Sequence, residues 1–232
     1  HNVPLYGTNS KDISSGNPLI NSDVSLIFNN VEYIRTTDSK GYVYFDILEK
    51  PGDYELTIIN PINNESLNKT VTVMPRITQN SNLVMYEYGG NYFKVLVLDD
   101  NGNIAKAGEV VQMKIGSVVR NVITASDGYA SLKINLKNNK YTIITTYKGY
   151  TVSNNLNVKP VLITKNIAVK KGKTIKFQAK LLNTKGKILK GKKITFKFKG
   201  KKYVVKTDEK GQATLTIKNL RVGKYSLKMY NH

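Results

Sequence analysis

The side chains that most often perform catalysis or bind metals are scarce in this sequence. The 232 residues include no cysteine, and histidine occurs only as His1 and His232, at the two ends. A cysteine nucleophile, a thiolate metal site and a histidine-based triad are therefore excluded. The Gly-x-Ser-x-Gly elbow, the phosphate-binding loop and the dinucleotide fingerprint are also missing. We expect a protein that is not an enzyme and that uses no cofactor and no metal.

One acidic segment is superficially similar to a calcium-binding loop. It runs Asp99-Asp100-Asn101-Gly102-Asn103. An EF-hand loop needs glycine at its sixth position, where this segment has Ile104. Asp, Asn and Gly in this order also favour a tight turn. We predict a turn here, with calcium binding as the alternative.

Positive charge is concentrated in the last third of the chain. Residues 159–232 carry 22 basic and 2 acidic side chains, whereas residues 1–158 carry 14 of each. Only four of the 36 basic residues are arginine, which disfavours nucleic acid as a partner because base reading relies on the arginine fork. Two interpretations stay open: a surface that binds an anionic polymer, or outward strand positions filled by lysine. The first interpretation selects the doublets Lys170, Lys171, Lys192, Lys193, Lys201 and Lys202.

Tyrosine and asparagine supply the remaining candidates for ligand binding or modification. The chain has 15 tyrosines and no tryptophan, and Tyr86, Tyr88 and Tyr92 flank the pair Gly89-Gly90. These three rings are candidates for stacking on a carbohydrate ligand. Asn64 and Asn68 stand in glycosylation acceptor patterns, although chance matches are expected in a chain so rich in asparagine.

The strands and turns that would hold these residues are predicted from an internal repeat in the sequence. Thr37-Asp38-Ser39-Lys40-Gly41 recurs as Thr124-Ala125-Ser126-Asp127-Gly128 and as Thr207-Asp208-Glu209-Lys210-Gly211. Alternating apolar residues precede and follow each copy, as in Val24, Leu26 and Phe28. This pattern predicts strand, turn and strand, joined as a tight hairpin with the glycine at positive φ.

Two further landmarks accompany each repeat. A tyrosine follows each glycine by 13 or 14 residues, at Tyr54, Tyr141 and Tyr225, and its placement resembles the tyrosine corner of immunoglobulin-like sandwiches. Apolar strands that end at Pro75 and Pro160 indicate boundaries with short, stiff linkers. We predict an all-β protein of tandem immunoglobulin-like β-sandwich domains in an elongated array, with domains at 1–75, 76–160 and 161–232.

The chain ends do not match these domain boundaries. Val3-Pro4-Leu5-Tyr6 is a poor first strand for the first domain, and only seven residues follow Tyr225 in the third. An excised fragment of a larger exported protein explains both ends. The alternative is head-to-tail self-association, in which one chain donates a strand to the next. No apolar stretch approaches the roughly 20 residues that a transmembrane helix needs.

The repeat resembles a known family of surface domains. Gly172-Lys173-Thr174-Ile175-Lys176-Phe177, Gly191-Lys192-Lys193-Ile194-Thr195-Phe196 and Thr207–Ala213 are similar to bacterial immunoglobulin-like (Big-type) repeats, in particular those of adhesin-like surface proteins of methanogenic archaea. The resemblance spans nearly the whole chain and is weakest in the first domain. It implies an extracellular, anchored protein in which the repeats form a stalk or an adhesive region. It implies no ligand and no catalytic residue.

The expected function is therefore structural. We expect a non-catalytic cell-surface segment that acts as a stalk or spacer and contributes to attachment to cells or surfaces. The alternative is a carbohydrate-binding or anionic-polymer-binding module that uses the basic third domain. The expected partners are another cell's surface, an acidic glycan or a cell-wall polymer.

Overall fold

A computed structural model describes residues 17–231. Every regular element in these residues is a β-strand, and no helix among them is long and apolar enough to cross a membrane. The predicted weak first strand at Val3–Tyr6 and the two terminal histidines lie outside the described residues.

The described residues divide into two compact units. One holds the residues up to Thr78 together with Leu96–Glu109 and Thr124–Tyr129. The other holds Gln79–Val95, Val110–Ile123 and the residues from Ala130 onward. The three domains predicted from the repeat stay a prediction, and "first", "second" and "third repeat" below mean residues 1–75, 76–160 and 161–232.

The described residues of the first repeat form a four-stranded antiparallel sheet in the order β2-β1-β3-β4. A tight turn at Asn29-Asn30, with φ of 49° and 62°, joins β1 to β2. Val24, Leu26 and Phe28 of β1 are buried, as the alternation predicts, and they pack with Val43 and Phe45. The strands are β1 (Asp23–Phe28), β2 (Val31–Thr36), β3 (Gly52–Ile59) and β4 (Ser66–Val73).

The second repeat contains a five-stranded sheet in the order β6-β12-β11-β8-β9 and a three-stranded sheet in the order β10-β7-β5. All described pairs in these sheets are antiparallel except β6 with β12, which is parallel. The strands are β5 (Ile77–Thr78), β6 (Leu83–Tyr86), β7 (Tyr92–Val97), β8 (Val110–Ile115), β9 (Val118–Ile123), β10 (Tyr129–Lys133), β11 (Asn139–Tyr147) and β12 (Tyr150–Lys159).

The third repeat shows the sandwich most clearly. Its sheets have the orders β13-β14-β17 and β16-β15-β18. Side chains from the two sheets form one core, in which Leu181 and Leu215 meet Ile194 and Phe196. The strands are β13 (Leu162–Thr164), β14 (Ile175–Leu181), β15 (Lys193–Phe198), β16 (Lys201–Lys206), β17 (Gln212–Ile217) and β18 (Leu227–Asn231). The chain is thus all-β and built from tandem immunoglobulin-like sandwiches.

The repeated glycine turn differs from the prediction in one respect. The glycines do have positive φ, at 80° for Gly41, 75° for Gly128 and 71° for Gly211. The turn is not a hairpin, however, because the strands on its two sides belong to different sheets: β9 and β10 in the second repeat, β16 and β17 in the third. In these two repeats it is the crossover from one layer of the sandwich to the other. The tight hairpins lie one strand earlier, as at Lys199-Gly200 between β15 and β16.

Buried threonines anchor these crossover turns. The Thr207 hydroxyl accepts a hydrogen bond from the Lys192 N–H at 3.0 Å and donates one to the Leu189 carbonyl at 2.6 Å. Thr124 makes the same pair of bonds with Glu109 and Lys106. Each hydroxyl thereby satisfies two backbone groups where the chain leaves one sheet for the other.

An aspartate at the next position closes two of the three glycine turns. The Asp38 carboxylate accepts hydrogen bonds from the backbone N–H groups of Lys40 and Tyr42, and Asp208 does the same with Lys210 and Gln212. Donation by the Tyr42 N–H, and then by that of Lys40, lowers the pKa of the Asp38 carboxyl from its ordinary value. The turn therefore favours the ionised aspartate.

The predicted tyrosine corners are confirmed, and strands end close to both prolines, while the domain boundaries at these prolines stay a prediction. The hydroxyls of Tyr54, Tyr141 and Tyr225 each donate to the backbone carbonyl four residues earlier, at 2.7, 2.9 and 2.8 Å. Strand β4 ends at Val73, two residues before Pro75, and β12 ends immediately before Pro160. Three chemically equivalent corners support the interpretation of the chain as one sandwich design used repeatedly.

Candidate anionic-polymer interface

The sheet β16-β15-β18 brings lysines from three strands onto one surface. In the strand register, Lys197 of β15 stands directly opposite Lys202 of β16 on one side and Lys228 of β18 on the other. Lys193, four residues before Lys197 on β15, stands opposite Lys206 of β16. We call these five exposed residues the lysine face: Lys193, Lys197, Lys202, Lys206 and Lys228.

Strand alternation determines which way these lysines point. Ile194, Phe196 and Phe198 of β15 are almost fully buried in the sandwich core, and Lys193 and Lys197 at the alternate positions are exposed, whereas Thr195 between those two lysines is buried. Directly opposite residues have Cβ atoms about 4.5–5.5 Å apart, and rows four residues apart are about 13 Å apart. The lysine face is therefore two parallel rows of ammonium groups, with Val204, Thr195 and Tyr230 in register between them.

The two acidic residues of the third repeat contact other groups. The Asp208 carboxylate holds the crossover turn, and Glu209 forms an ion pair with Lys190. Like charges directly opposite one another on a sheet are destabilising. A polyanion laid across the two rows would remove that repulsion and gain charge–charge attraction at the same time. The arrangement can therefore bind an extended anionic chain through spaced point charges.

The six lysines selected from the sequence are placed differently by the structure. Lys193 and Lys202 belong to the lysine face, whereas Lys170 and Lys171 lie in the loop before β14. Lys192 lies just before β15, and Lys201 opens β16 opposite Phe198. The sequence doublets did not reveal Lys206 and Lys228, because their membership depends on strand pairing over long separations.

The three candidate tyrosines have different surroundings in the structure. Tyr86 is half-buried and covers the turn at Gly186, where an added Cβ would lie 2.5 Å from its ring. Tyr88 is 57% exposed and lines a cavity, and Tyr92 is 54% exposed at the start of β7. Tyr86 is thus used in packing, while Tyr88 remains a candidate for ligand contact.

The acidic segment at Asp99 forms the predicted turn. The Asp99 carboxylate accepts hydrogen bonds from the backbone N–H groups of Asn101 and Asn103, both at 2.9 Å, and Gly102 has φ of 78°. Asp100 forms an ion pair with Arg76 at 2.5 Å. Among the described residues, no group of three or more histidine or acidic side chains is placed to hold a metal ion.

The glycosylation candidates are both accessible. Asn64 is exposed in the loop between β3 and β4, with φ of 59°. Asn68 is exposed on β4, and its side-chain oxygen accepts a hydrogen bond from the Thr57 hydroxyl at 2.8 Å. Glycosylation at either position stays a prediction.

Comparison with known proteins gives remote structural likenesses. No family model matches the chain, and a search of curated proteins found no match. Among solved structures, a bacterial ice-binding adhesin is 15% identical over 88% of this chain and 77% of its own, with a TM-score of 0.25. Domains 4–9 of the surface-layer protein SbsC are 15% identical over 94% of this chain and 39% of their own, with a TM-score of 0.27. The I9–I11 tandem of titin is 14% identical over 90% of this chain and 83% of its own, with a TM-score of 0.34. At these values the likenesses carry no argument about function.

Proposed function

We propose that this chain is a non-catalytic segment of an extracellular cell-surface protein, and that it attaches to an anionic polymer through the lysine face. The observation that carries the proposal is the cross-strand row Lys202, Lys197 and Lys228, in which three like charges stand side by side. An acidic glycan or a cell-wall polymer has the chemistry to bind there. On this proposal the first two repeats act as a spacer, or stalk, for the basic third repeat.

The family resemblance is part of the same proposal. The repeated crossover turn, the tyrosine corners and the proline-terminated strands support an assignment to Big-type repeats of adhesin-like proteins, including those of methanogenic archaea. Location at the cell surface follows from that assignment. Strand donation between chains stays a prediction, since the residues it would use at the N-terminal end lie outside the described range.

The second candidate function is a spacer without an attachment site. It is favoured by the same face, because lysines on outward strand positions also keep the sheet edge from pairing with another chain. The edge strand β16 carries Lys201, Lys202 and Lys206 among its six residues. The two functions differ in whether the positions of the lysines matter or only their number.

Polyanion binding by two charge-matched variants separates these functions. One variant changes the five residues of the lysine face to glutamine. The control changes five lysines of the same repeat that lie outside it: Lys170, Lys171, Lys173, Lys185 and Lys187. Affinity of the full chain for polygalacturonate is measured at low and high salt, because screening weakens such binding steeply.

We expect the face variant to lose on the order of tenfold or more in affinity and to show a shallower salt dependence than the control. Equal losses in the two variants would show that binding follows total charge alone. An unmodified chain that does not bind polygalacturonate or purified acidic wall polymer at low salt would support the spacer and contradict attachment through this face.

A further inference from the structure

The loop after β6 holds an aromatic residue in a strained conformation. Tyr88 has φ of 56°, in the left-handed region that bulky residues rarely adopt, and its side chain is 57% exposed. Such strain persists only where the surroundings impose it, and it is found disproportionately at functional sites. Burial of the ring therefore does not explain the conformation of Tyr88, and a role in ligand contact would explain it.

Glu87 fixes the start of this loop. One oxygen of its carboxylate accepts a hydrogen bond from the Val161 N–H at 3.1 Å, and the other accepts one from the Asn138 N–H at 3.2 Å. Its own N–H donates to the Lys159 carbonyl at 2.8 Å. Glu87 thus ties the loop to Asn138 and to Lys159 and Val161, the residues on the two sides of Pro160.

The residues that follow are held just as closely. The Tyr88 N–H donates to the Leu136 carbonyl at 3.0 Å. A Cβ added to Gly89 would lie 2.9 Å from the Tyr86 carbonyl oxygen and 3.3 Å from that of Thr184. Gly90 has φ of 66°, and a Cβ there would lie 3.0 Å from Cε of Lys133. Backbone oxygens lie too close to Gly89 for a side chain, and the positive φ of Gly90 favours glycine there, so the Tyr88 ring is presented by a preorganised loop.

A cavity of about 400 Å³ opens beside this ring, lined by Tyr88, Gly89, Gly90, Lys133 and Asn135. Its volume falls within the range of about 300–1,000 Å³ that small-molecule sites occupy. The lining offers one aromatic face, one ammonium group and one amide, with no acidic side chain. Those groups match three features of one ligand class: an apolar ring face, a carboxylate and hydroxyls.

We propose that this cavity is a subsite for an acidic sugar residue, that is, a uronate within a polysaccharide. The sugar ring lies against Tyr88, its carboxylate accepts a charge-assisted hydrogen bond from the Lys133 ammonium, and Asn135 bonds its hydroxyls. The site recognises one residue of a glycan, whereas the lysine face responds to charge density along a chain. Binding in this cavity does not require the lysine face.

Binding of short glycans to the full chain with the neutralised lysine face tests the inference. The probes are trimers of galacturonate, glucuronate and mannuronate, with neutral galactose and glucose trimers for comparison, followed by amide NMR at millimolar ligand. We expect at least one uronate trimer to shift the signals of Gly89, Gly90, Lys133 and Asn135. The neutral trimers should shift them less.

Three variants identify the groups responsible. Tyr88→Asn should weaken uronate binding by about tenfold or more and raise the unfolding temperature, because asparagine tolerates the left-handed conformation that strains tyrosine. Lys133→Gln should remove the preference for uronate over neutral sugar. Tyr44→Ala, which changes a similarly exposed tyrosine that does not line the cavity, should leave binding unchanged.

Three results would overturn the subsite. One is that no uronate trimer shifts these signals. Another is that Tyr88→Asn binds as tightly as the parent chain. The third is that Tyr88→Asn unfolds at a lower temperature, which would give the ring a structural role instead. None of these results bears on polyanion binding by the lysine face, so the two proposals fail separately.

Discussion

Three tyrosine hydroxyls make the same short bond to the backbone in three places. Tyr54 donates to Lys50, Tyr141 to Lys137 and Tyr225 to Arg221, in each case to a carbonyl four residues earlier. The Tyr54 ring packs against the core of the first repeat, and the ring of Tyr225, which is exposed, lies 5.7 Å from that of Phe198 between centroids. Each hydroxyl therefore ties its tyrosine to the segment of chain that precedes it.

Replacing these tyrosines by phenylalanine removes the bond and keeps the ring. We expect Tyr54→Phe, Tyr141→Phe and Tyr225→Phe each to lower the free energy of unfolding by about 0.5–1.5 kcal/mol. Denaturant unfolding followed by circular dichroism measures the loss. Tyr44→Phe, at a half-exposed tyrosine in the first repeat, is the control and should change little. A loss at Tyr44 equal to that at the corners would show that the corner bonds contribute nothing specific.

At the scale of elements, two glycines of the third repeat differ in how much space surrounds them. Gly211 and Gly191 both lie in the third repeat with similar positive φ, 71° and 69°. A Cβ on Gly211 would lie 2.7 Å from Cγ2 of Ile188 and 3.0 Å from the Leu181 carbonyl oxygen, whereas one on Gly191 would meet nothing within 4 Å. The left-handed backbone disfavours any other residue at both positions. Close packing disfavours a side chain only at Gly211.

Alanine at the two positions should separate those constraints. Gly191→Ala should lower the free energy of unfolding by about 1–2 kcal/mol, because the left-handed conformation alone is penalised. Gly211→Ala should cost about 1–3 kcal/mol more, because the crossover must also move away from Ile188. Thermal or denaturant unfolding compares the two variants directly. Equal costs would contradict close packing at the crossover.

The lysine rows have a stability consequence of their own. Lys197 lies between Lys202 and Lys228 in register, so it is repelled from both sides. We expect Lys197→Thr to raise the free energy of unfolding by about 0.2–1 kcal/mol at low salt and by less at high salt. The matched control is Lys187→Thr, in the turn before β15, which should change little. A destabilised Lys197→Thr variant at low salt would argue that Lys197 has a structural role.

Local patterns in the sequence predicted much of the fold and only part of the sites. The alternation at Val24–Phe28 and the glycine turns predicted strands and positive φ correctly. They did not show that the turn at Gly128 changes sheets, because a crossover and a hairpin share the same local residues. Lys228 joins Lys197 only through strand pairing, and the local sequence does not encode which strands pair. Tyr86 and Tyr88 are two residues apart and could not be told apart by sequence. In the structure Tyr86 packs against Gly186, whereas Tyr88 lines the cavity.

At the scale of the whole molecule, charge is unevenly divided along the chain. Residues 1–158 are balanced, and the entire excess of +20 belongs to residues 159–232. Such a distribution attracts a polyanion from a distance toward one part of the chain and accelerates encounter. We expect the association rate constant with polygalacturonate to fall steeply as salt rises, while the dissociation rate constant changes less. Stopped-flow measurements over a salt series test this, and a salt-independent association rate would contradict it.

The lysine face also determines how the protein behaves on a surface in the laboratory. Amine-coupling chemistry reacts with exposed lysines, and five of them crowd one side of the third repeat. A sensor chip or resin prepared in this way would immobilise many molecules by that side and conceal it from any soluble ligand. Tethering through a single engineered thiol would avoid this, since the chain has no cysteine of its own and one introduced into the first repeat would react alone.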